Sequence, residues 1–166
     1  MRRLIWPVLF LFLLLLQGST SVFYTGWLAF DLPLLALYSY AMLKGEQQGA
    51  AMGAGIGFLQ DAMTISVFGF HMLSRALLGY LAGLMKGKLV KENIYYHAAV
   101  MGLICLGLRF LYWWLELLRN GGHWDVLGGF LWDTLGYCIG NMLMVVPMVC
   151  LIQFVYDWIK KDEISY

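Results

Sequence analysis

Six apolar segments, joined by loops too short to hold a separate domain, limit what this chain can fold into. They run from Leu4 to Gly18, Leu28 to Leu43, Gln48 to Thr64, Phe68 to Met85, Tyr96 to Leu118 and Leu127 to Ile159. A helix that crosses a bilayer needs about 20 predominantly apolar residues, with a usable range of about 17 to 25. The second, third and fourth segments are short by that measure. The sixth is long and contains Pro147, which predicts a kink or a tilt. Only 13% of the 166 residues are charged and 61% are hydrophobic, whereas soluble domains carry about 25% charged residues. A soluble fold of this size has no interior large enough for so much apolar surface. The expectation is an all-α polytopic membrane protein, a single transmembrane domain over residues 1–166 dissolved in the lipid bilayer. The net charge of +1 gives no electrostatic case for nucleic acid.

The start of the chain has a rival reading. "MRRLIWPVLFLFLLLL" is basic and then apolar, as a secretory signal peptide is. No A-x-A cleavage pattern follows and no soluble mature domain waits downstream, which favours an uncleaved first helix. Charge then tests the topology, because Lys and Arg gather on the cytoplasmic side. With the N-terminus inside and six spans, the inside pieces hold Arg2, Arg3, Lys44, Lys86, Lys88, Lys91, Lys160 and Lys161. That is eight of the eleven Lys and Arg. The outside loops hold Arg119, and Arg75 and Arg109 fall within helices. The bias supports six transmembrane helices with both termini cytoplasmic. The seven Trp residues fall mostly near predicted span ends, where amphipathic rings favour the interface.

The third segment, "GAAMGAGIGFLQDAM", places a carboxylate at the end of a glycine ladder. Residues four apart share a helix face, so Gly49, Gly53, Gly57 and Asp61 form one stripe. The fourth segment carries a second stripe of His71, Arg75, Gly79, Gly83 and Gly87. In lipid, helix association depends on packing, and small residues let backbones approach closely. The two segments are expected to pack antiparallel across a short turn near Ser66 and Val67. Asp61 and His71 then lie at the same outer end, with Arg75 one turn deeper. A charge at the bilayer centre costs at least about 2.5–3.5 kcal/mol on insertion scales. Pairing of Asp61 with His71 or Arg75 is therefore expected. The ladder reads as structural glue or as a functional polar site, and the two do not exclude each other. Gly55 points about 160° away from Gly57. One face is expected to serve the contact between the two segments and the other to receive a partner helix.

Arg109 lies near the middle of the fifth segment, with Glu116 on the same face. In the sixth, Asp133, Tyr137, Gly140 and Asn141 share a face. Asp61, His71, Arg75, Arg109 and Asp133 thus form a candidate polar network in the outer half. Glu116 reads equally well as a surface residue.

Signals for chemistry are weak. No HExxH, GxSxG or P-loop pattern is present. His71, His97 and His123 sit on different segments with conflicting predicted sides, so no metal site and no cofactor is expected. Cys105, Cys138 and Cys150 lie inside apolar runs and read as small apolar filler.

The stretch "GFLQDAMTISVFGFHMLSRALLGYLAGLMKGKL" resembles the central signature of the MreD family of bacterial rod shape-determining proteins. Its carriers here are Gly57, Phe58, Leu59, Asp61, Gly69, Leu73, Gly79, Tyr80 and Gly83, and the hydropathy profile is similar along the whole chain. The resemblance implies a non-enzymatic subunit of the plasma membrane that binds MreC, a single-span protein. Through it the chain would serve an elongation machinery with an MreB filament, a SEDS glycosyltransferase and a penicillin-binding transpeptidase. It also implies a bundle like that of the substrate-binding subunits of energy-coupling-factor transporters. Two functions from different classes follow. One is a scaffold that grips another membrane protein, using the glycine groove of Gly49, Gly53, Gly55, Gly57, Gly79 and Gly83 and external loops such as "RNGGHWDV". The other is a small-molecule-binding subunit of an importer.

Overall fold

The computed structural model describes residues 5–18, 27–63, 69–86, 94–120 and 127–164. Among these there are six helices and no strand. They are α1 (Ile5–Gly18), α2 (Leu32–Lys44), α3 (Glu46–Met63), α4 (Phe70–Leu84), α5 (Ile94–Asn120) and α6 (Leu127–Ile164). Arg2, Arg3, Ser66, Val67, Gly87, Lys88, Lys91 and the "GGHWDV" part of "RNGGHWDV" lie outside the described residues.

At 1.5 Å per residue, α5 with its 27 residues is about 40 Å long, well over the roughly 30 Å of hydrocarbon in a bilayer. α6, with 38 residues, is longer still and continues through Pro147. These two are long and apolar enough to cross a membrane. α1 and α2 are apolar but only 14 and 13 residues long. Leu73, Leu103 and Phe154 are each more than 70% exposed. Outward-facing apolar side chains on this scale are a lipid-facing surface rather than a water-facing one.

The chain divides into two compact units. The first holds Met1–Ser19, Asp31–Glu92 and Pro147–Tyr166, and the second Thr20–Phe30 and Asn93–Val146. In the first unit, α2 is the hub. Every residue from Leu32 to Ala41 is buried, and α1, α3 and α4 pack against it. A helix apolar on all sides is one that has to be covered on all sides. Trp6 of α1 is buried edge-on against Tyr40, with ring centroids 4.8 Å apart. It is a packing residue, not the interfacial ring its place near a span end predicted. α2 and α3 are separated by Gly45 alone, at φ 100°, a backbone conformation that L side chains rarely adopt.

In the second unit, Trp113 of α5 stacks on Phe130 of α6 at 5.8 Å. Residues 27–30 lie along α6. Trp27 stacks on Trp132 at 4.9 Å, and its indole N–H donates to the Trp132 carbonyl at 2.9 Å. A Cβ at Gly136 or Gly140 would collide with the carbonyls of Trp27 and Ala29. Cys105 and Cys138 are buried, as small filler is. Cys150 is exposed, contrary to that reading.

Candidate functional site

α3 and α4 form the closest helix pair of the first unit, and glycine sets the contact. A Cβ on Gly49 would enter the Gly79 carbonyl, and one on Gly79 the Gly49 carbonyl. The same holds for Gly53 against Arg75, Gly57 against His71, and Gly83 against Gly45 and Glu46. Each step of four along α3 is thus matched by a step of four back along α4. That is an antiparallel register with backbone on backbone. At such separations van der Waals contact and Cα–H···O contacts supply attraction that lipid cannot. Gly55 is different. It is exposed, and a Cβ built there meets nothing within 4 Å. Ala51, one turn earlier, is exposed as well.

Asp61 closes the far end of this pair. Its carboxylate accepts three backbone N–H groups, each at 3.0 Å, from Gly69, His71 and Met72. These belong to the N-terminus of α4, whose own cap residue, Gly69, has no side chain to offer. The first four N–H groups of a helix lack intrahelical partners, and in lipid each one left bare costs several kcal/mol. α4 is therefore capped by a carboxylate from the neighbouring helix, where the helix dipole also favours negative charge. The glycine stripe brings α3 close enough for this to happen. The hydrogen bonds that Asp61 accepts among the described residues come from main-chain donors, one of them the N–H of His71 itself.

Arg75 turns to a residue the sequence reading did not include. It is 3% exposed and forms an ion pair with Asp31, while its Nε donates to Gln60 Oε1 at 3.0 Å. Asp31 is held in turn, since its other carboxylate oxygen accepts from Leu34 N at 3.0 Å and so caps α2. Gln17 at the end of α1 accepts from Leu32 N at 3.1 Å. Gln17, Asp31, Gln60, Asp61, His71 and Arg75 are thus gathered at one end of the first unit. The other end is cationic. Lys86 Nζ donates to the Lys44 carbonyl at 3.3 Å, and Lys44 Nζ lies 4.8 Å from the centroid of the Tyr156 ring.

The remaining candidates lie in the second unit. The Arg109 guanidinium sits over two rings, 5.4 Å from the centroid of Phe130 and 5.5 Å from that of Tyr137. Asn141 donates to the Tyr137 carbonyl at 2.8 Å. Glu116 and Asp133 are exposed, and Asp133 has no bonded partner among the described residues. Among the described residues no group of three His, Cys, Asp or Glu could hold a metal ion.

This architecture of glycine hairpin, borrowed cap and long apolar helices can be set beside known proteins. The family model described as rod shape-determining protein MreD matches residues 1–155. The chain belongs to the MreD family. Comparison with curated proteins and with solved structures gave no match. Family membership makes this a membrane protein of the rod-shape-determining kind, in a family whose role is structural. Nothing in the comparisons supports the importer reading. The G-F-L-x-D signature at Gly57–Asp61 also gains a physical meaning. Gly57 grants the approach of the two helices, and Asp61 uses it to cap α4.

Proposed function

We propose that this MreD-family chain is a non-enzymatic, multi-pass subunit of the bacterial inner membrane that holds an MreC-type single-span protein. Through that protein it helps position the MreB filament, the SEDS glycosyltransferase and the penicillin-binding transpeptidase that build peptidoglycan during elongation. The six helices are all read as spans, with both termini cytoplasmic. The lysine-bearing end of the first unit, at Lys44 and Lys86, supports that orientation under the positive-inside rule.

The observation that carries the docking proposal is the division of labour among the α3 glycines. Gly49, Gly53 and Gly57 are consumed by the contact with α4, whereas Ala51 and Gly55 present a small-residue face with open space above it. Two small residues four apart are what a second transmembrane helix needs for close approach. The rigid, capped hairpin beneath gives that helix a surface that does not yield. The test is co-purification of the MreC-type partner from membranes expressing Gly53→Leu or Gly55→Leu. Gly53→Leu is expected to lose the folded protein. Gly55→Leu is expected to insert at parental levels and lose the partner. Retention of the partner by a normally inserted Gly55→Leu chain would contradict the docking proposal.

A further inference from the structure

Two buried polar atoms of the second unit stand without hydrogen-bond partners. One is Arg109 Nε of α5 and the other is Thr134 Oγ1 of α6. Thr134 is 6% exposed. It lies on α6 between Phe130 and Tyr137, the two rings over which the Arg109 guanidinium rests. The spacing of four and then three residues puts Phe130, Thr134 and Tyr137 on one face. The cation and the hydroxyl therefore meet in one niche. Among the described residues Arg109 has no carboxylate partner, and the nearby acidic residues on its own helix and the next, Glu116 and Asp133, are exposed. The rings supply attraction to the charge but accept none of its hydrogen bonds.

A half-buried guanidinium whose Nε is buried and bare, beside a buried hydroxyl without a partner, suits an acceptor that carries negative charge. We propose that the Arg109–Thr134 niche binds a phosphate oxyanion, with the guanidinium giving charge-assisted hydrogen bonds and Thr134 donating one more. The niche lies seven residues, or about 10 Å at 1.5 Å per residue, from the N-terminal end of α6. The neighbouring Phe110 and Trp114 stack on each other at 6.5 Å and are both exposed. They form an apolar wall along which an acyl chain can lie. The phosphate is therefore either the headgroup of a lipid or free phosphate.

The experiment follows the thermal midpoint of the full chain in detergent, titrated separately with phosphatidylglycerol, phosphatidylcholine and inorganic phosphate. Thr134→Val keeps the side-chain shape and removes only the hydroxyl, so it remains informative even if Arg109→Gln fails to fold. Arg119→Gln removes an exposed cation on the same helix. The parent is expected to gain thermal stability with phosphatidylglycerol. Thr134→Val is expected to need about tenfold more lipid for the same gain, the size of one hydrogen bond to a charged group. Arg109→Gln should respond no more to phosphatidylglycerol than to phosphatidylcholine, and Arg119→Gln should behave as the parent does. A response to all three phosphates, removed by Thr134→Val, assigns the niche to any phosphate. A response to phosphatidylglycerol and phosphatidylcholine alone assigns it to lipid headgroups. No response in the parent would overturn the proposal, as would an unaltered one in Thr134→Val, or a loss in Arg119→Gln equal to that in Arg109→Gln.

Discussion

At the scale of single residues, Asp31 and Asp61 both cap helices of the first unit, by different routes. Asp31 caps its own helix and neutralises Arg75, whereas Asp61 caps a helix it does not belong to. Asp61→Ala would strand three N–H groups, each worth about 1–3 kcal/mol when buried and bare. A loss of at least about 3 kcal/mol in resistance to denaturant is expected. Asp61→Asn keeps one acceptor oxygen and should fall between Ala and the parent. Equal stability of all three would show that the cap carries no weight. Asp31→Asn separates the two duties of that residue. Asn caps helices about as well as Asp, but it leaves Arg75 as a buried charge without its counter-ion, a defect worth about 3–5 kcal/mol. Adding Arg75→Met should recover part of the loss. A double variant weaker than Asp31→Asn alone would contradict the ion-pair account. The importance of Asp61 was legible in the sequence from its place at the end of the stripe. Its partners were not, because backbone donors carry no residue identity. Asp31 was hidden by being read into an apolar segment starting at Leu28. The Asp31-Leu32-Pro33 pattern, a cap residue followed by Pro in the first turn, was the signal available.

At the scale of elements, the α3–α4 pair was the most readable part, since spacing by four fixes the face and the absence of a side chain fixes the distance. Gly53→Ala drives a methyl group into the Arg75 main chain, and overpacking of this kind costs about 1–3 kcal/mol or more. Gly55→Ala meets nothing and removes the flexibility of a mid-helix glycine, so it should be neutral or stabilising by up to about 1 kcal/mol. Equal effects at both positions, measured by thermal unfolding in detergent, would refute the assignment of faces. The packing of residues 27–30 along α6 was not legible. Gly136 and Gly140 mark it, but the residues they accommodate are over a hundred positions away in the chain. The stacking of Arg109 on two rings was not legible either, because Phe130 and Tyr137 lie on another helix and carry no charge to mark them as its partners.

At the scale of the whole molecule, hydropathy and charge bias carried the reading of a membrane protein. They do so because lipid solvation acts on every residue and needs no knowledge of contacts. Reporter fusions after Asn120 should read external and fusions after Tyr166 cytoplasmic. An external C-terminus would contradict six spans. The docking surface is tested at the open face of α3 itself. The most direct test places a photo-crosslinking side chain at Gly55, and for comparison at Leu73, which is 76% exposed on α4. In membranes containing the MreC-type partner, position 55 is expected to trap its transmembrane segment and position 73 to trap lipid alone. Capture of the partner from position 73 with none from position 55 would contradict the account.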